Sequence, residues 1–199
     1  MTLHDYRTEV LTDVPGLTDV PPAMLADLAR EFDIRDHNNS LICVEGEPAD
    51  VLYILAEGEC EVIKTAPNGK KYKVAVLTSG CLFGQVGVMT LAHRTASVQA
   101  RGRVRTLQMP ARRARELLRS GSFQVTSPFR RALIVALARQ LQSATSTTMK
   151  LAVDAGLAVP ASESQLPTVD DLPTSEQTRD LLRAHSQVCL LYTSPSPRD

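Results

Sequence analysis

The segment Phe83-Gly84-Gln85-Val86-Gly87-Val88-Met89, continued by Leu91-Ala92-His93-Arg94-Thr95-Ala96-Ser97-Val98, decides how the rest of the chain is read. Gly84 and Gly87 free the backbone for close approach to a ligand. A short helix opening beside them would aim unpaired N–H groups at an anion. Arg94 adds a planar, permanently charged fork that suits two phosphate oxygens, and the backbone N–H groups of Thr95 and Ala96 complete an anion nest. The plainer alternative for Arg94 is a surface arginine at the start of a strand. His93, just before it, reads as a loop residue.

Working outward, strand-like segments flank this turn on both sides. Ser40 to Val44, Val51 to Ala56 and Cys60 to Thr65 are short, apolar or β-branched, and punctuated by Gly or Pro. Pro67-Asn68-Gly69 predicts a hairpin through a type I′ turn. Beyond it Tyr72, Val74 and Val76 alternate with Lys71, Lys73 and Ala75, the pattern of a half-buried strand. Thr95 to Ala100 and Val104 to Met109 predict two more strands. Many short strands with frequent turns indicate a mainly β fold, an antiparallel barrel or jelly roll, with helices around it.

Three helices are expected besides the one at the glycine turn and the one in the tail. Pro21-Pro22 open a short amphipathic one with Met24, Leu25, Leu28, Ala29 and Phe32 at helical spacing, and Pro110 to Arg119 form a second. The third starts at Ser127-Pro128, an N-cap followed by proline at the first helical position, and runs to Ala155 before Gly156, about 40 Å. The poor helix formers Thr145-Ser146-Thr147-Thr148 mark a place where it could break. Phe129, Leu133 and Ala136 form one apolar face. Ile134, Leu137, Leu141, Ala144, Thr148, Leu151 and Ala155 form another, a heptad-like seam left for a second copy of the chain unless both faces bury within one fold.

The segment from Phe83 to Val98 resembles the phosphate-binding cassette of the cyclic-nucleotide-binding domain family, which reads Phe-Gly-Glu, a few apolar residues, then Arg-(Ala/Ser/Thr)-Ala. Gly46, Gly58 and Gly80 also fall where that family has glycines, and the resemblance covers approximately residues 20 to 150. It implies an antiparallel β-roll followed by a short helix and a long C-terminal helix. It also implies a cyclic AMP or cyclic GMP ligand held by Gly84, Gln85, Val86, Gly87, Arg94, Thr95 and Ala96. Thr95 keeps cyclic GMP open, because a hydroxyl after the arginine can bond guanine in the family. The purine would meet the long helix, with Ser143, Thr145 and Thr148 as its polar candidates. One departure matters: the family's glutamate, which bonds the ribose 2′-hydroxyl, is Gln85 here. The expected function is a sensor that couples cyclic-nucleotide binding to movement of the C-terminal helix. The alternatives are a degenerate, non-binding roll serving as scaffold or dimerisation module, and a truncated transcription regulator without its DNA-binding domain.

Composition narrows the rest. Lys+Arg and Asp+Glu are each 22, so overall charge lends no support to nucleic-acid binding. The arginines from Arg101 to Arg119 are crowded, but they lack interleaved aromatics and a helix-turn-helix pattern, so they read as a solvated face. Cys43, Cys60, Cys81 and Cys189 show no metal-ligand spacing, and no metal is expected. The longest apolar run, Ala132 to Ala138, is too short for a membrane span of about 20 residues. Reduced thiols and no signal peptide point to the cytoplasm. No nucleophile elbow, P-loop lysine or zinc-protease motif is present, so no enzyme activity is expected. The expected organisation is a lead-in at 1–19, loose from Thr2 to Gly16, then a roll at 20–126 and the long helix at 127–155. A linker-like tail at 156–187 follows, with one short helix at Thr174 to His185, and then a suspected non-native read-through at 188–199.

Overall fold

The computed structural model describes residues 2–154, so the readings of the tail from Ala155 onward, its short helix and the suspected read-through lie outside the described residues, as do the seam side chains of Thr148 and Leu151. The chain divides into two units, Met1–Lys150 and Leu151–Asp199, and the architecture below is that of the first.

Two helices precede the sheet. Thr2 caps α1 (Leu3–Thr12): its hydroxyl accepts from the Asp5 N–H at 3.1 Å while the Asp5 carboxylate accepts from the Thr2 N–H at 2.8 Å. The loose lead-in expected between Thr2 and Gly16 is therefore corrected. Val10, Leu11, Val14 and Leu17 are buried. Their polar neighbours hid a short apolar set that a common core gathers. The second helix, α2 (Pro22–Ala29), follows its predicted spacing, with Leu25, Leu28 and Ala29 buried beside Phe32.

Six strands follow, β1 (Asp33–Asn38), β2 (Leu41–Cys43), β3 (Val51–Thr65), β4 (Lys71–Leu77), β5 (Leu82–Phe83) and β6 (Ser97–Pro110). All pairings are antiparallel, in the order β1-β6-β3-β4, with β2 also on β6 and β5 also on β3. The segments predicted as separate strands on either side of Gly58 are one bent strand. Register shifts at Leu55/Glu57 and Glu57/Glu59 kink it, and Gly58 sits there at φ +87°. Likewise Thr95–Ala100 and Val104–Met109 merge into β6. Bending lets one strand serve both halves of the roll: Val51–Leu55 pairs with Thr106–Pro110, and Cys60–Ile63 with Ser97–Ala100.

Both faces of β3 are covered from Leu52 to Leu55, which explains the continuous apolar run from Val51 to Ala56. Leu52, Ile54, Leu107 and Met109 join the helix-side core with Leu11, Leu25, Phe32, Leu117 and Phe129. Tyr53, Leu55, Cys60, Phe83, Val98 and Val104 fill the inside of the roll. Burying a side chain of this size contributes about 1.5–3 kcal/mol.

The hairpin between β3 and β4 forms where expected, but through a different turn. Gly69 N–H bonds Ala66 O at 2.8 Å, Ala66 N–H bonds Lys70 O at 2.8 Å, and only Gly69 of the loop has positive φ (+77°). Pro67, locked near −65°, suits the first position of a type I turn, and Gly69 then forms the bulge. The alternation in β4 is real, yet its apolar face is not buried: Tyr72, Val74 and Val76 are 50%, 54% and 44% exposed. This strand is a sheet edge with no second layer over that face.

Two helices close the unit, α4 (Ala111–Ser120) and α5 (Phe123–Asp154). The latter begins four residues before the predicted cap and carries Pro128 inside its second turn. Thr126 supplies the local anchor, its hydroxyl donating to Ser122 O at 2.7 Å. Proline is tolerated so early because the carbonyl it leaves unpaired belongs to exposed Gln124. No break interrupts α5 at Thr145–Thr148. Four arginines of the arginine-rich stretch are paired with carboxylates: Arg101 meets Glu61 at 3.2 Å, Arg105 meets Asp36 at 2.6 Å, Arg112 meets Glu116 at 2.8 Å and Arg113 meets Glu31 at 2.7 Å.

Candidate functional site

The quoted segment folds as β5, a left-handed turn at Gly84 (φ +80°), the helix α3 (Gln85–Thr90) and a loop into β6. Glycine is required at position 84 for two reasons. Its φ is positive, and a Cβ there would lie 2.5 Å from Arg94 Nη1. At Gly87 a Cβ would lie 2.5 Å from the Ala49 Cβ, so the second glycine lets α3 press onto the loop before β3.

Arg94 is buried, at 7% exposure. Nη2 donates to Val51 O at 2.6 Å and Nη1 to Gly84 O at 3.2 Å, which ties the cassette turn to β3. The guanidinium lies 5.3 Å from the Tyr53 ring centroid, and Tyr53 in turn stacks on Phe83 with centroids 4.9 Å apart. Its backbone is pinned as well: the N–H donates to Glu47 O at 2.8 Å and the carbonyl accepts from Gly46 N–H at 2.9 Å. A guanidinium has five N–H donors, so the two carbonyl bonds leave others for an anion. The surface-arginine alternative does not hold, because the side chain points inward.

Gln85 is buried too, at 4% exposure, and its Nε2 donates to Oε1 of Gln140 on α5 at 2.8 Å. Gly84, Gln85, Val86, Gly87, Arg94, Thr95 and Ala96 all line one cavity of about 630 Å³. This volume lies inside the roughly 300–1,000 Å³ range usual for small-molecule sites. Val74 and Val76 of β4 form a second wall, and Ala132, Ala136, Arg139, Gln140 and Ser143 of α5 a third. Burial pushes the pKa of the Cys43 thiol and of the Tyr53 phenol above their ordinary values, although Arg94 works against it in both. Both groups are therefore neutral near pH 7.

Among the three helix hydroxyls proposed from sequence, Ser143 lines the cavity, Thr145 is exposed and outside its lining, and the Thr148 side chain lies outside the described residues. His93 is exposed and also outside the lining, in keeping with a loop residue. Sequence reasoning missed Tyr53, Arg139 and Gln140. The last two were legible in one respect: 132, 136, 139, 140 and 143 are spaced as one helix stripe, continuous with the apolar face at Phe129 and Leu133. Among the described residues no group of three His, Cys, Asp or Glu is placed to hold a metal ion, and no helix is long and apolar enough to cross a membrane.

Comparison with known proteins agrees with this geometry. Residues 37–121 match the family described as Cyclic nucleotide-binding domain. The chain is 27% identical over 113 residues to a CRP-like cAMP-activated global transcriptional regulator of Mycobacterium tuberculosis, an alignment that takes in 56% of this chain and 49% of that protein. The chain thus spans about half the length of that curated relative. Its fold is shared with the catabolite activator protein of Thermus thermophilus, at a TM-score of 0.60 and 23% identity, covering 69% of this chain and 63% of that one. It is also shared with the regulatory subunit of a cAMP-independent protein kinase A from Trypanosoma brucei, at a TM-score of 0.59 and 22% identity, covering 75% and 52%. Residues 37–121 are thus similar to the cyclic nucleotide-binding domain family, and the fold around them is the one these structures share.

Proposed function

We propose that the cavity binds a cyclic nucleotide, cyclic AMP or cyclic GMP, and that its occupancy biases the position of α5. One observation carries this reading. Buried Arg94 and buried Gln85 stand on one wall of a cavity whose opposite wall, α5, sends Gln140 back to Gln85. Arg94 takes the phosphate, with the first N–H groups of α3 and those of Thr95 and Ala96 around it. Gln85 faces the ribose hydroxyl, and Ser143 lies toward the purine. A hydroxyl that bonds Gln85 competes with Gln140, so ligand and helix position share one hydrogen-bonding group. The ligand is sensed and not transformed, and a cytoplasmic setting suits a free nucleotide. The exposed stripe Ile134, Leu137 and Leu141 is left for a second copy of the chain.

Calorimetric titration of the 199-residue protein with cyclic AMP and cyclic GMP tests this directly. Arg94→Ala should lose nearly all binding, and Arg94→Lys should recover little, because a point charge cannot copy the fork. Both variants need a melting curve alongside, since Arg94 also holds the cassette to β3. Absence of heat with either nucleotide at millimolar concentration, from a folded parent, would leave the degenerate scaffold as the correct reading.

A further inference from the structure

The cavity is charged in one direction only. Among the described residues its lining includes Arg94 and Arg139 and no aspartate, glutamate, lysine or histidine. Arg94 already has a proposed partner, the ligand phosphate. Arg139 lies on the cavity-facing stripe of α5, is solvent-exposed, and has no ion-pair partner among the described residues. Its chain neighbour Gln140 is the residue that grips Gln85. The α5 wall of the cavity therefore carries a guanidinium and a carboxamide, the latter bonded to Gln85.

The chemistry of position 85 points the same way. A carboxylate there would only accept hydrogen bonds and would repel any second anion. An amide is neutral and both donates and accepts, so it tolerates negative charge beside it. A cyclic mononucleotide has one negative charge, which Arg94 takes, and it leaves Arg139 without a partner.

We infer that this cavity selects a nucleotide with a second anionic group on the sugar side, held by Arg139 with Gln140 while Arg94 holds the phosphate. This rests on the cyclic-nucleotide reading above and specifies the ligand class within it. Because Arg139 is exposed, the gain is modest and sensitive to salt.

Two derivatives of cyclic AMP with equal reach isolate the charge: the 2′-O-succinyl form ends in a carboxylate and the 2′-O-butyryl form in a methyl group. In calorimetry on the 199-residue protein at low ionic strength, the succinyl form should bind about five-fold tighter. That advantage should shrink at about 0.5 M salt, and Arg139→Gln should remove it. Equal affinities in the parent overturn the inference, as does an advantage that survives in Arg139→Gln. So does exclusion of both derivatives while cyclic AMP itself binds. In each of these cases the cyclic-nucleotide reading stands. Failure of cyclic AMP and both derivatives to bind a folded protein overturns that reading, and the inference with it.

Discussion

Arg94 does two jobs with one side chain. Its bonds to Gly84 O and Val51 O fasten the cassette to the sheet, and the same guanidinium faces the cavity. Its neighbour on that wall, Gln85, offers a test of the proposed binding. Gln85→Glu should tighten cyclic AMP binding about ten-fold, because a charged acceptor bonds a hydroxyl more strongly than an amide does. The gain should shrink for 2′-deoxy cyclic AMP, which has no hydroxyl to donate. Without ligand the variant should melt lower, since its carboxylate is buried and the side chain facing it is the neutral amide of Gln140. Unchanged or weaker binding by a folded variant would mean that position 85 does not face the ribose. Both Arg94 and Gln85 were legible in the sequence, because they sit within ten residues of a recognisable turn. Tyr53, Arg139 and Gln140 were not. Each lies 30 or more residues from that turn; the helix stripe that holds Arg139 and Gln140 could be traced in the sequence, but nothing local to it signals a cavity.

At the scale of elements, bends and edges matter more than propensity. Gly58 holds the kink in β3 at φ +87°, and a Cβ there would lie 2.6 Å from Arg103 O on β6. Gly58→Ala should therefore destabilise the roll by about 1–3 kcal/mol in denaturant titration, and a variant as stable as the parent would remove this account of the bend. The β1–β6 pair contributes a pH dependence. His37 lies against buried Thr106, its Nε2 3.0 Å from Thr106 Oγ1 and 3.4 Å from Gln108 Nε2. Burial lowers its pKa from the ordinary 6.5, Asp36 partly opposes that, and Arg35 adds to it. The unfolded chain then binds more protons than the folded one. Stability should be full above about pH 6.5 and fall as the pH drops through the folded-state value. Melting curves of His37→Gln should lack that component, and an unaltered profile would count against it. The strand β4 teaches a different lesson. Its alternation was plain in the sequence, but periodicity cannot say whether a second layer covers the apolar face. Here that face is left as an exposed sheet edge, where Val74 and Val76 form a cavity wall.

For the whole molecule, α5 is the element with two faces. Phe129, Ala132 and Leu133 are buried against the roll, whereas Ile134, Leu137 and Leu141 are 67%, 40% and 69% exposed. If that stripe meets a second copy, Leu137→Asp should convert a dimer to a monomer in light scattering while the roll keeps its melting behaviour, because a carboxylate trapped in an apolar seam costs several kcal/mol. A parent that is monomeric at high concentration would dispose of the seam. The sequence by itself determined the β-roll class, the hairpin at Pro67–Gly69, the glycine turn and the inward arginine's position in the chain. These depend on φ preferences, short-range periodicity and a compact motif, all of which act within a dozen residues. Only the tertiary structure decided that two pairs of predicted strands are single bent ones, that Leu3–Thr12 is a helix capped by Thr2, and that Gln140 and Arg139 line the same cavity as Gln85 and Arg94. Those outcomes depend on contacts between residues far apart in the chain, such as the 55 positions between Gln85 and Gln140, and packing selects such contacts where no local pattern encodes them.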